Sequence, residues 1–120
     1  MSGLALVTRE LGAQVSGSDR SPDSPYLREL DVPVAAGHDA ANVPAGAEVV
    51  VSSAIAPDNP ERGVAARELH RADLLGEITR LRPTIAVTGT HGKTTTSSMI
   101  VHVLRGCGLD PGYLVGGEVR

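Results

Sequence analysis

The sequence predicts an α/β fold built on a parallel sheet. Apolar runs alternate along the chain with short breaks that carry Gly, Pro or Ser, which is the pattern of strand–helix–strand units. The run Glu48–Val51 is rich in β-branched residues, as buried parallel strands are. A further strand-like run, Ile85–Val87, leads through a Gly-rich turn into a long helix. The total of 120 residues suits one compact domain of ordinary size.

Seven segments of regular structure are predicted before residue 82. In chain order they are a helix over 2–11, a strand over 13–17, a short helix over 26–30, a strand over 32–36, a strand over 48–51, a helix from 59 to about 70 and a helix over 72–81. Gly12 ends the first helix because glycine accepts the left-handed conformation found after helices. Asn59 and Pro60 favour a helix start, as N-cap and first helical residue.

The step Arg82-Pro83 predicts a boundary, because a residue before proline is disfavoured in the helical region. A new strand is predicted over 84–87, followed by a helix over 94–105 that Gly106 and Gly108 end. Residues 1–82 and 83–120 are therefore treated as separate parts of the chain.

Composition and charge exclude several classes of function. Eleven Lys and Arg against 14 Asp and Glu give a net charge of −3, so neither nucleic acid nor an anionic membrane is an expected partner. With no Phe or Trp, the chain has almost nothing to stack on bases. No apolar run approaches the ~18 residues of a membrane-spanning helix, and no secretory signal is evident. The single cysteine, Cys107, excludes an internal disulfide and is expected to be semi-buried; we expect a cytoplasmic protein.

The strongest chemical signal is a Gly-rich segment between the predicted strand 84–87 and the helix after it. Its glycines let backbone N–H groups point at phosphate oxygens, and the helix N-terminus adds a positive dipole. In such a loop Lys93 reaches the β- and γ-phosphates of ATP, and the Thr94 hydroxyl ligates Mg²⁺. Val87 stands where the strict Walker pattern has Gly, so the match is to a shortened form. The predicted nucleotide-binding residues are Gly89, Thr90, His91, Gly92, Lys93, Thr94 and Thr95, with a spacer role also open for His91.

The residues Gly-Thr-His-Gly-Lys-Thr-Thr-Thr at 89–96, preceded by Ile-Ala-Val, resemble the phosphate loop of the Mur ligases. This family uses ATP to form amide bonds in peptidoglycan synthesis. The resemblance extends along nearly the whole chain, through residues 1–5, 15–19, 50–55, 59–61 and 71–77. It is greatest to the branch that joins L-alanine to UDP-N-acetylmuramate, with the branch that reattaches recycled peptide as the alternative. It implies catalysis through an acyl phosphate, in which Lys93 and Mg²⁺ on Thr94 neutralise charge on the transferred phosphoryl group.

The resemblance also implies a division of labour along the chain. Residues 1–82 would form a Rossmann-like domain that binds UDP-N-acetylmuramate, and residues 83–120 would begin a P-loop ATP-binding domain. In the family, Met-Ser-Gly closes a longer glycine loop after the first strand, so we expect this sheet to lack that strand. Unpaired backbone groups would then make the chain marginal or oligomeric, or a neighbouring chain would complete the sheet. We expect the 120 residues alone to be inactive.

The predicted substrate-binding residues lie at the carboxyl ends of strands, where open α/β sheets bind ligands. Ser2 and Gly3 would abut the diphosphate. The remaining residues follow predicted strands and are Ser18, Asp19, His38, Ser52 and Ser53. For Ser18 and Asp19, a turn or helix cap explains the residue types equally well.

Two other classes of protein remain open. A non-catalytic P-loop module would bind ATP with no dependence on UDP-N-acetylmuramate. An NAD-binding Rossmann protein is suggested by Asp19 at a strand end, although its Gly-x-Gly-x-x-Gly motif is absent and Gly-Lys-Thr is present. The substitution Lys93→Ala separates these classes, because it would weaken ATP binding and leave NAD binding unchanged.

Overall fold

The computed structural model describes residues 1–21, 23–24, 27 and 30–116. Within that range the elements are α1 (Ser2–Glu10), β1 (Gly17–Asp19), β2 (Val34–Ala36), β3 (Glu48–Val51), β4 (Arg67–His70), α2 (Arg71–Leu81) and α3 (Lys93–Gly106). Two 3₁₀ turns, Ala40–Asn42 and Arg62–Val64, follow β2 and precede β4. The chain forms two compact units, Met1–Arg82 and Pro83–Arg120. The short helix predicted over 26–30 falls mostly on residues outside the described set.

The four strands form two separate parallel pairs. β1 pairs with β2 so that Ser18 lies opposite Ala35. β3 pairs with β4 so that Val51 lies opposite His70. Each pair is joined by a long crossover, as parallel strands require. The predicted mixed α/β architecture with parallel strands is therefore confirmed.

The first unit has a small apolar core because its strands are short. Leu4 of α1, Val51 of β3 and Leu69 of β4 are buried, together with Val32 just before β2. α2 packs against β3 and β4. α1 ends as predicted, since Gly12 takes a positive φ of 95°, which favours glycine.

The helix predicted from 59 to about 70 is wrong. Asn59 does make the expected cap-like contact, because its Oδ1 accepts a hydrogen bond from the N–H of Glu61 at 2.9 Å. The chain then makes only one 3₁₀ turn before it extends into β4. Pairing with β3 and the burial of Leu69, which is 5% exposed, favour the strand over the helix.

The strand predicted over 84–87 is also absent from the described structure. Ile85 is 66% exposed, and this segment pairs with no described strand. A strand is stable only through its pairing and its packed face, and neither is available here. The strands predicted over 13–17 and 32–36 are shorter than expected, beginning at Gly17 and Val34.

The second unit consists of α3 and the segments on either side of it. α3 buries Val101 and ends near Gly108, whose φ is 80°. After the helix the chain places the Tyr113 ring 5.2 Å from Cζ of Arg105, a cation–π contact. Cys107 is exposed, contrary to expectation. Across the described residues, no helix has the length and apolar content needed to cross a bilayer.

Candidate functional site

A buried carboxylate joins the ends of three segments in the first unit. Glu61 is only 9% exposed and lies just before the second 3₁₀ turn. Its Oε2 accepts a hydrogen bond from Ser18 Oγ at 2.7 Å, and its Oε1 accepts one from Asn42 Nδ2 at 3.0 Å. The Asp39 N–H lies 3.3 Å from the same Oε1. The loop after β3 is thereby tied to the carboxyl ends of β1 and β2.

His38 completes this cluster. Its Nδ1 lies 2.9 Å from Ser18 Oγ and 3.4 Å from Glu61 Oε2. Asn42 also donates to the carbonyl oxygen of Gly37 at 3.2 Å, which fixes the loop that carries the histidine. Ser18, His38, Asn42 and Glu61 are called the Glu61 cluster below.

The hydrogen bonds favour an ionised Glu61. Burial raises the pKa of a carboxyl group, but donors on Asn42, Ser18 and the Asp39 backbone and the nearby His38 hold the pKa of Glu61 below its usual value of 4.5. At neutral pH the cluster therefore contains a buried anion that only accepts hydrogen bonds.

The structure brings together two of the seven predicted substrate residues, Ser18 and His38, by direct contact. Asp19 and Ser52 instead bond to nearby backbone: Asp19 Oδ1 accepts from Ser21 N at 2.8 Å, and Ser52 Oγ from Ala54 N at 3.4 Å. The turn interpretation of Asp19 thus has a contact in its favour. Ser53 is exposed, and Ser2 and Gly3 occupy the first turn of α1.

Sequence reasoning missed the central role of Glu61 and Asn42. Asn59-Pro60-Glu61 predicts the start of a helix, so the sequence places Glu61 on a helix and not in a buried cluster. Its partner Ser18 lies 43 residues earlier, so no local pattern connects the two. The available signals are the polar end of β1, Ser18-Asp19, and the histidine in the loop after the next strand.

The second unit presents a backbone suited to a phosphate group. Gly89 has a φ of 142° and Gly92 a φ of 76°, conformations that L-residues rarely adopt. Gly92 is the N-cap of α3 and provides no side-chain cap, and the first backbone bond to it comes from Thr96 N at 2.9 Å. The N–H groups of the first turn thus have no acceptor within the helix and carry the positive end of its dipole.

Lys93 folds back over this loop. Its Nζ donates to the carbonyl oxygens of Gly89, at 2.6 Å, and Thr90, at 3.2 Å. Two backbone carbonyl oxygens therefore hold the ammonium group at the loop. His91 and Thr90 are exposed beside it.

The residues around α3 fit part of a magnesium–nucleotide site. The Thr94 hydroxyl is the side-chain oxygen that would ligate Mg²⁺, and a Cβ added at Gly116 would stand 4.0 Å from it, so the segment after α3 returns to the start of the helix. Among the described residues there is no group of three or more His, Cys, Asp or Glu that could hold a metal ion. A role of this loop in binding phosphate or Mg²⁺ stays a prediction.

Comparison with known proteins identifies the family. The family model described as "Mur ligase family, catalytic domain" matches residues 1–82. The chain is 49% identical to a UDP-N-acetylmuramate--L-alanine ligase of Acidiphilium cryptum, over 100% of this chain and 26% of that protein. It is 48% identical to proteins of the same name from Burkholderia mallei and Burkholderia thailandensis, over 99% of this chain and 27% of each. The chain thus spans about a quarter of the length of these relatives, and it belongs to the Mur ligase family.

Proposed function

We propose that this chain supplies the nucleotide-sugar-binding part and the first ATP-binding segment of a cytoplasmic ligase that joins L-alanine to UDP-N-acetylmuramate. The observation that carries the proposal is the identity of 48–49% along essentially the whole chain to ligases of that name. Since the chain spans about a quarter of their length, the 120 residues are expected to be inactive by themselves.

The first unit is proposed to be Rossmann-like and to bind the UDP end of the substrate. Ser18 and His38 lie at the carboxyl ends of adjacent parallel strands, the usual ligand-binding edge of an open α/β sheet. Ser2 and Gly3 lie in the first turn of α1, where backbone N–H groups and the helix dipole favour an anion such as a diphosphate. Asp19 is the last residue of β1, Ser52 and Ser53 directly follow β3, and the three complete the proposed site.

The second unit is proposed to hold the phosphates of ATP. The backbone from Gly89 to Gly92, with the N–H of Thr95, would hold the phosphate oxygens. Lys93 would exchange its two carbonyl acceptors for the β- and γ-phosphates. Magnesium, bound through Thr94 and groups elsewhere in the enzyme, would supply charge neutralisation for phosphoryl transfer. The catalytic contribution of Lys93 is electrostatic, because it places a fixed positive charge where negative charge develops.

A chimeric enzyme tests this proposal. Residues 1–120 would replace the matching segment of the Acidiphilium cryptum ligase, and formation of UDP-N-acetylmuramoyl-L-alanine and ADP would be measured. We expect activity that requires ATP, L-alanine and UDP-N-acetylmuramate. The substitution Lys93→Ala in the chimera should reduce kcat/KM at least ~100-fold, in line with removal of one preorganised charge-stabilising group.

The matched control is Arg105→Ala on the last turn of the same helix, which removes a positive charge away from the loop. It should keep most of the activity. A folded chimera that binds ATP but forms no product, with or without UDP-N-acetylmuramate, would instead support a non-catalytic P-loop module. Activity that requires a preformed peptide in place of L-alanine would support the peptide-recycling ligase.

A further inference from the structure

The proton positions in the Glu61 cluster follow from its geometry. Ser18 Oγ has two close partners, Glu61 Oε2 at 2.7 Å and His38 Nδ1 at 2.9 Å, but only one hydrogen to donate. An ionised carboxylate accepts and never donates. The serine hydrogen must therefore point at Glu61, and the bond between Ser18 and His38 must be donated by the histidine.

This assignment fixes the histidine tautomer. His38 must carry hydrogen on Nδ1, which also faces the Glu61 carboxylate at 3.4 Å. A neutral imidazole with hydrogen on Nδ1 has a lone pair on Nε2. Free histidine has no such constraint, so the choice of nitrogen is made by the neighbouring groups.

The second ring nitrogen is left for a ligand. No described residue forms a hydrogen bond with Nε2 of His38, although the side chain is only 14% exposed. Within the described part of the chain, no buried side-chain nitrogen or oxygen lacks a partner. Nε2 is therefore on the exposed part of the ring, at the carboxyl edge of the β1–β2 pair.

We propose that Glu61 is a positioning residue that acts through Ser18 to hold His38 with hydrogen on Nδ1, so that Nε2 accepts a hydrogen bond from the nucleoside of the substrate. This inference rests on the proposed function for its ligand. The donor is an N–H of the base or a hydroxyl of the ribose. The carboxylate itself does not contact the nucleotide.

The tautomer can be measured directly on the 120-residue chain. Long-range ¹H–¹⁵N correlation spectra of histidine-labelled protein, at about pH 8 where an ordinary imidazole is neutral, distinguish the two forms. We expect hydrogen on Nδ1 of His38. The exposed His91 and His102 serve as internal references with the usual mixture of forms, whereas His70, whose Nδ1 accepts from the Ala72 N–H at 3.4 Å, should carry hydrogen on Nε2. Hydrogen on Nε2 of His38 in the wild-type chain would overturn the inference without any variant.

Binding of UDP tests the ligand half of the inference. In Glu61→Gln the new amide can donate to Ser18 or His38, so the tautomer should become mixed and UDP should bind about tenfold less tightly, the loss expected for one hydrogen bond. Asp58→Asn makes the same carboxylate-to-amide change at an exposed position of the same loop and is the matched control. A merely structural role would lower the melting temperature of Glu61→Gln and leave the tautomer unchanged, which would contradict the inference.

Three analogues identify the donor: 2′-deoxy-UDP, 3′-deoxy-UDP and N3-methyl-UDP. The one that lacks the donor should bind wild type about tenfold less tightly than UDP and should show little further loss in Glu61→Gln. His38→Gln places an amide oxygen near the Nε2 position, so it should lose less affinity than His38→Asn. If all three analogues lose the same affinity, in wild type and in Glu61→Gln alike, the hydrogen bond from the nucleoside to His38 Nε2 is excluded. Failure of wild type to bind UDP would contradict the proposed function, while the tautomer measurement would still decide the role of Glu61.

Discussion

Replacement of Glu61 by alanine is expected to lower the free energy of unfolding of the first unit by about 3 kcal/mol. The two shortest bonds to the carboxylate, from Ser18 at 2.7 Å and Asn42 at 3.0 Å, each have a charged acceptor. Each such bond contributes about 1.5–3 kcal/mol. The lower value applies because the Glu61 side chain is 11% exposed, so water can partly replace the carboxylate as hydrogen-bond acceptor. The longer contact from Asp39 N, at 3.3 Å, adds little. At about 0.05–0.15 kcal/mol per residue, the unit has only about 4–12 kcal/mol to lose.

Urea unfolding followed by circular dichroism at neutral pH measures this loss. Because the chain has no Trp, the helical signal is the suitable probe. The control Asp58→Ala removes an exposed carboxylate from the same loop and should change stability by less than about 0.5 kcal/mol. A loss below about 1 kcal/mol for Glu61→Ala would show that the cost of desolvating the carboxylate offsets the stabilisation from its hydrogen bonds, and the reasoning would be refuted.

Three further results are expected. Because the pKa of Glu61 is lowered in the folded chain, the stabilisation from the ionised carboxylate is present above pH 4.5 and is lost as the pH falls below 4.5. The difference in stability between wild type and Glu61→Gln should therefore shrink at acidic pH, and a constant difference would contradict this. Gly92→Ala should destabilise α3 by about 1–2 kcal/mol because φ at Gly92 is 76°, and no clash adds to this cost, since nothing lies within 4 Å of the new Cβ. Gly106→Ala should instead stabilise α3 by about 0.5–1 kcal/mol. Amide exchange of the helix measures both changes. Sedimentation should show association that rises with concentration, because two-stranded sheets are marginal by themselves, and a stable monomer throughout would contradict this expectation.

Local sequence was sufficient where one residue pattern dominated. The three consecutive valines after Glu48 predict β3, because β-branched side chains fit a buried pleated surface whichever way they face. α2 was predictable from its content of Leu and Arg, which favour helices, but the interaction that starts it was not. His70 caps the Ala72 N–H through Nδ1, and Asp73 accepts from the His70 N–H.

Sequence was insufficient where distant residues decide the conformation. Arg67-Glu68-Leu69-His70 has no strand pattern of its own and is extended because it pairs with β3. Ile85-Ala86-Val87 has a strand pattern, but no described strand pairs with it. Ser18 and His38 do lie at strand ends and contact each other, while their role in substrate binding stays a prediction. The carboxylate that holds them came from a segment whose local pattern predicted a helix.

The Glu61 cluster also has a consequence for the order in which the chain folds. Its hydrogen bonds to Ser18, Asp39 and Asn42 close separations of 43, 22 and 19 residues. Contacts this distant in sequence cost loop-closure entropy, so they are expected to form after the local turns and α2. The cluster would then be largely absent from the folding transition state, and Glu61→Ala would mainly accelerate unfolding while refolding stays nearly as fast. The carboxylate would thus lower the unfolding rate and lengthen the lifetime of the folded unit.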